Sequence, residues 1–96
     1  MLMYYVYVIR SLSYNSFYVG STEDAEKRLK EHNAGKCRYT SGRIPWRLDY
    51  KEEYSTRSEA MQREKFLKSG RGRAFLKEKR LNLLTEKLPA EDGLLG

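Results

Sequence analysis

Aromatic and β-branched residues fill every position from Tyr4 to Ile9. Such a run favours a strand, and apolar positions on both of its faces predict a buried central one. Ser11 to Ser16 carries Ser and Asn and reads as a turn. Phe17-Tyr18-Val19 forms a second short strand ended by Gly20, so a hairpin is expected. Ser21 or Thr22 is expected to cap a helix, with Glu23 and Asp24 suited to its first turn. Ala25, Leu29 and His32 fall on one helical stripe, and Asn33 and Gly35 are stop signals, which predicts a helix near residues 23–33.

The stretch from Gly35 to Pro45 has little hydrophobic pattern, and a loop of that length in a small domain is often functional. Trp46, Leu48 and Tyr50 then alternate, which predicts a third strand reaching Tyr54. Thr56-Arg57-Ser58-Glu59 is a capping box. The helix it opens should run to about Lys68, with Ala60, Leu67 and the nearby Met61 toward the core, and Ser69-Gly70 should end it. Ala74, Leu81, Leu84 and Leu88 can form one stripe of a third helix.

The order β-β-α-β-α-α predicts an α+β variant of the α/β class. Its small, mainly antiparallel, three-stranded sheet would be flanked by three helices. One domain is expected over residues 1–84, with a patternless tail over 85–96.

Composition narrows the function. The chain has 96 residues, 40% hydrophobic and 33% charged, which is a globular balance. Nineteen Lys and Arg against 13 acidic residues give a net charge of +6 and a pI near 9.5. That basicity suggests a polyanionic partner, since cations gain affinity by displacing counterions from phosphates. The bland alternative is a protein that happens to be basic. Cys37 is the single cysteine, which excludes a disulfide framework within the chain and favours a reducing cytoplasm. Lys36 and Arg38 beside it could lower its pKa, but no base can be assigned to it. One Cys and one His argue against structural zinc. The apolar N-terminus lacks a charged n-region and a cleavage site, and no stretch approaches the roughly 18 apolar residues of a span, so no membrane association is expected.

Glu64 is the oddity of the second helix, because the wheel places it between Ala60 and Leu67. A half-buried carboxylate is costly unless it is paired or holds a metal. The two readings are metal chemistry or a salt bridge to Arg28 or a nearby Lys. Arg28 flanks the stripe of the first helix one turn before His32, and its planar fork suits phosphate. A surface arginine is the ordinary alternative. Tyr7 and Tyr18 fall on neighbouring strands, where most tyrosines are packing residues with a wet hydroxyl. Gly70-x-Gly72 lacks the third glycine of a dinucleotide loop, no Gly-Lys-Ser/Thr loop exists, and no Glu-x-Lys triplet supplies a carboxylate-lysine nuclease core.

Taken together and in order, these positions resemble the GIY-YIG nuclease superfamily over roughly residues 4–80. Val6-Tyr7-Val8 stands at the first motif, and Tyr18-Val19-Gly20 matches the second. Arg28 follows on a helix, His32 follows Arg28 by one turn, and Glu64 lies in a helix resembling the one that carries the family's glutamate. The likeness is greatest to short stand-alone bacterial members related to the N-terminal domain of the excision-repair nuclease subunit. Tyr5 replaces the first motif's glycine, and the family's asparagine after the glutamate helix has no counterpart near Ser69-Gly70.

The resemblance implies a Mg²⁺-dependent (or Mn²⁺-dependent) endonuclease acting on DNA, in repair or recombination. It implies that Tyr7, Tyr18, Arg28, His32 and Glu64 form the active site, with Glu64 on the metal, Arg28 on the scissile phosphate, and Tyr7 or Tyr18 accepting a proton from water. The four residues other than His32 should converge on one face of the sheet. Lys36, Arg38, Arg43, Arg47, Lys68, Arg71 and Arg73 are the expected contacts to the DNA backbone. One active site cuts one strand per encounter, so double-strand cleavage would need two visits or a weak dimer; a protein partner is also compatible. The alternative is a nucleic-acid-binding module of the same fold that acts without catalysis of its own.

Overall fold

A computed structural model describes residues 2–87, with side chains through residue 79. Three antiparallel strands and three helices follow in the predicted order. They are β1 (Tyr4–Ser11), β2 (Phe17–Thr22), α1 (Ala25–Asn33), β3 (Trp46–Tyr54), α2 (Arg57–Leu67) and α3 (Gly70–Lys87). The chain forms two compact units, Met1–Lys65 and Phe66–Gly96.

In the first unit the strand order is β2-β1-β3. β1 takes the centre because it alone is apolar on both faces, and Val6, Tyr7, Val8 and Ile9 are all buried. β2 and β3 are edges, and β3 turns the charged side chains of Lys51 and Glu53 to solvent, which discourages further pairing. Register divides the residues between two faces. Val6 pairs with Ser21 and Glu52, whereas Tyr7 pairs with Gly20 and Lys51, so neighbouring positions alternate sides. The core on the Tyr7 face joins Tyr7, Ile9 and Trp46, with Tyr18, Leu29, Ile44 and Leu48 packed against them.

α2 is tied to the other face. Arg63 grips Glu52 with two hydrogen bonds, Nε to Oε1 at 2.8 Å and a second guanidinium nitrogen to Oε2 at 3.0 Å. The hydroxyls of Tyr50 and Tyr54 also donate to Glu52. These partners hold the Glu52 carboxyl below its ordinary range against the opposing effect of burial.

Two local expectations are corrected on α1 and α2. Ser21 and Thr22 do not cap α1, because both remain in the β1–β2 ladder. Asp24 caps it instead, accepting from the Lys27 N–H at 3.1 Å, and the helix starts at Ala25. Met61 does not face the core: it is 56% exposed, while Ala60 and Leu67 are buried. Thr56 does cap α2, accepting from the Glu59 N–H at 3.2 Å.

In the second unit, Ser69 opens α3 by accepting from the Gly72 N–H at 3.2 Å. A side chain at Gly72 would place its Cβ 2.1 Å from the Phe66 carbonyl oxygen, so only glycine permits so tight a break between the helices. Ala74 is exposed, and among the described side chains of α3 the buried positions are Gly72 and Leu76, so the expected stripe does not begin at Ala74. The side chains of Leu81, Leu84 and Leu88 lie outside the described residues, as does the expected tail beyond Lys87.

Candidate active site

Tyr7 sits at the middle of β1, 2% exposed, and its ring crosses over β2 at Gly20. A Cβ on Gly20 would fall 2.5 Å from the Tyr7 hydroxyl oxygen, so the glycine of Tyr18-Val19-Gly20 is what lets this ring lie there. The Tyr7 hydroxyl meets His32 Nε2 at 2.9 Å. His32, fully buried on α1, places Nδ1 2.7 Å from Thr40 Oγ1. Thr40 in turn donates to the Cys37 carbonyl at 3.3 Å.

Charge states give this chain one direction. Burial pushes the Tyr7 phenol up to about 12, against the opposing hydrogen bond from Arg28. The phenol is therefore protonated at neutral pH and donates. Burial, helped by the nearby Arg28 charge, lowers the His32 pKa, so the imidazole is neutral with one N–H. The consistent arrangement runs from Tyr7 O–H to His32 Nε2, from His32 Nδ1–H to Thr40 Oγ1, and from the Thr40 hydroxyl to the Cys37 carbonyl.

The Arg28 guanidinium lies near enough to Tyr7 to oppose the rise of its pKa, and it donates to Glu31 Oε1 at 2.9 Å. Glu31 raises the arginine's pKa further, and the arginine holds the Glu31 carboxyl below its ordinary range. Arg28 lines an open cleft of about 510 Å³ with Ser21, Asp24, Lys27, Glu31 and Arg57. Arg57 reaches across from α2 to Glu23 at 2.9 Å.

Glu64 arrives from the other side. The half-buried carboxylate accepts the Ser21 hydroxyl at 2.7 Å. The expectation of a single shared face is therefore corrected. Tyr7, Tyr18, Arg28 and His32 gather on the α1 face, whereas Glu64 comes from the α2 face and bonds Ser21, a residue that also lines the cleft. A lone carboxylate such as Glu64 suits Mg²⁺, which keeps several waters and needs few protein ligands. Among the described residues no three His, Cys, Asp or Glu groups cluster to hold a metal, so Glu64 would hold such an ion with water rather than in a cage.

The Tyr18 ring stands 6.3 Å from the Tyr7 ring and 5.1 Å from His32. Thr40 escaped the sequence reading. It lies in a basic stretch without hydrophobic pattern, yet it is fully buried, and its carbonyl also accepts the Trp46 indole N–H at 3.0 Å.

The basic residues fall in separate places. Lys36 and Arg38 are exposed just beyond α1. Arg47 pairs across the sheet with Arg10, at the opposite end of β1 from Ser21, and forms an ion pair with Asp49 at 3.6 Å. Arg43 accompanies it there, its carbonyl accepting the Ser11 hydroxyl at 2.7 Å. Lys68, Arg71 and Arg73 are exposed in the second unit.

Known proteins resemble the chain over most of its length. The family described as "GIY-YIG catalytic domain" matches residues 3–82. A UPF0213 protein of Staphylococcus haemolyticus is 39% identical over 88 residues, covering 91% of this chain and all of that protein. A UPF0213 protein of Haloquadratum walsbyi is 42% identical over 84 residues, covering 86% of this chain and 88% of its own. The solution NMR structure of a UPF0213 protein from Bacillus halodurans is similar at a TM-score of 0.50 and 34% identity, over 82% of this chain and 86% of that one. Among the described residues no helix is long and apolar enough to cross a membrane. With the family matched across most of its length and these relatives alongside it, the chain belongs to the GIY-YIG catalytic domain family, a family of nucleases.

Proposed function

We propose that this protein is a metal-dependent endonuclease that hydrolyses DNA phosphodiesters at one active site, with repair or recombination as its setting. The observation that carries the reading is the Tyr7 hydroxyl bonded to the His32 imidazole at 2.9 Å, with the Arg28 charge beside it. Arg28, released from Glu31, would hold the scissile phosphate in a bidentate grip. A water attacking phosphorus would pass its proton to the Tyr7 oxygen as Tyr7 passes its own to His32 Nε2. The proton thus ends on an imidazole whose Nδ1–H already rests on Thr40. A relay of this kind suits Tyr7 better than direct action as a phenolate, because a phenol near 12 is not ionised at neutral pH. Tyr18 would flank the phosphate with its ring against His32. A divalent ion, Mg²⁺ or Mn²⁺, would be held by Glu64 and water and would neutralise charge on the leaving oxygen.

The test is nicking of supercoiled plasmid in Mg²⁺, in Mn²⁺ and in EDTA, with Glu64→Gln beside the parent. Cleavage by the parent that EDTA and Glu64→Gln both abolish is expected, with little change in thermal stability. Binding of DNA without metal-dependent cleavage would favour the non-catalytic module instead.

A further inference from the structure

Tyr39 is 70% exposed, the largest exposure among the big hydrophobic side chains of the described residues. Exposed aromatic surface gains the fold little. Yet this ring is not at a loose loop tip. Its neighbour Thr40 is fully buried and bonded to His32 and Trp46, and the Arg38 carbonyl accepts the Ser41 hydroxyl at 3.0 Å. The backbone is fixed on both sides of Tyr39, so its ring is presented in place.

One side of the ring contacts Tyr18, with centroids 5.6 Å apart and planes tilted by 44°. Tyr18 contacts His32 and Tyr7 in turn. Tyr39 is thus the outermost member of an aromatic series that begins at the candidate relay and ends in solvent. Lys36 and Arg38 are exposed within three residues of it. A π surface bordered by cations matches one chemistry, a nucleobase with its phosphates. A paired base inside a duplex shows no free face to such a ring, whereas an unpaired base does.

We infer that Tyr39 is a stacking platform for an unpaired base next to the scissile phosphate, and that single-stranded or locally unpaired DNA is the preferred substrate. The inference rests on the endonuclease reading in taking nucleic acid as ligand. Arg38 and Lys36 supply phosphate contacts, and the aromatic series ties the stacked base to Tyr18 beside the relay. Readout of this kind tolerates any base, because every base has a π face.

The experiment measures binding of the full chain to a fluorescent thymidine oligonucleotide and to a duplex of equal length, in Ca²⁺ so that cleavage does not interfere. Tighter binding of the single strand by the parent is expected. Tyr39→Ala should weaken that binding by roughly 5- to 150-fold while leaving duplex binding unchanged, and Tyr39→Phe should retain it. Tyr14→Ala, which removes an exposed tyrosine on the β1–β2 turn, should change neither. Circular dichroism verifies that each variant is folded. Equal affinity of the parent for both substrates, or equal loss on both in Tyr39→Ala, overturns the inference even if plasmid nicking persists. A parent that binds single strands through Tyr39 but never nicks loses the endonuclease reading and keeps the platform.

Discussion

The Ser21 hydroxyl donates to Glu64 Oε1 at 2.7 Å, joining the end of β2 to α2 across 43 positions of sequence. Ser21 is the residue after Gly20, so the glycine that admits the Tyr7 ring and the hydroxyl that orients the glutamate are consecutive. Both halves of the candidate site are thereby registered to one edge strand.

A carboxylate oriented this way presents a fixed direction to an incoming cation. Removing an orienting partner of a metal ligand typically costs 10- to 100-fold in affinity or activity. Ser21→Ala should therefore shift the Mg²⁺ dependence of nicking to higher concentration by about that factor, and Ser21→Thr should restore much of it. An unchanged Mg²⁺ titration for Ser21→Ala would mean that the hydroxyl serves only the fold.

Gly20→Ala addresses the other half. The added Cβ would stand 2.5 Å from the Tyr7 oxygen and 2.7 Å from its Cζ, so the ring must move off His32. The expected cost is about 1–3 kcal/mol of stability, measured by urea denaturation, together with a large loss of nicking. A variant as stable and as active as the parent would show that the Tyr7 ring is free to move aside.

Two buried groups set the pH dependence. The His32 pKa is lowered by burial, so the unfolded chain binds this proton more readily than the folded one. Stability is then fully present above the unfolded value of about 6.5 and falls as pH drops through the folded pKa. The Tyr7 phenol, near 12 when folded against 10 when unfolded, works at the other end, and stability declines between pH 10 and 12. Nicking should share the acid limb, since a protonated His32 cannot accept the Tyr7 proton. Denaturation and nicking profiles over pH 5–8 test this, and the acid limb of nicking should vanish from the residual activity of His32→Gln.

Affinity for DNA should depend strongly on salt and weakly on sequence, because lysine and arginine contacts to phosphates read no bases. Arg38→Ala, beside the relay, and Arg71→Ala, in the second unit, should each lower the log–log salt slope by about one. Binding isotherms at several salt concentrations in Ca²⁺ measure it. A change in one variant alone would assign the phosphate path to that unit.

The order of elements and the two tyrosine motifs were legible in the chain because they rest on local rules. A continuous apolar run marks the central strand, Thr56 and Glu59 mark the start of α2, and Gly20 ends an aromatic run. The half-buried position of Glu64 also follows from helical period alone. Other features depend on partners distant in sequence. Thr22 is as good a cap as Asp24 by composition, and only pairing with Tyr5 in the ladder withdraws it. Met61 and Ala60 are adjacent and both apolar, yet the larger one faces water, because the angle at which α2 is held decides its buried side. Nothing in a basic loop marks Thr40 for burial until His32 and Trp46 converge on it. Strand alternation separates Ser21 from Tyr7, but where α2 settles decides that Glu64 bonds Ser21 from the far face. Period, caps and turns are set by neighbours along the chain. Which polar groups meet is set by packing, since a buried hydroxyl or carboxylate takes whichever partner the assembled fold brings within hydrogen-bonding reach.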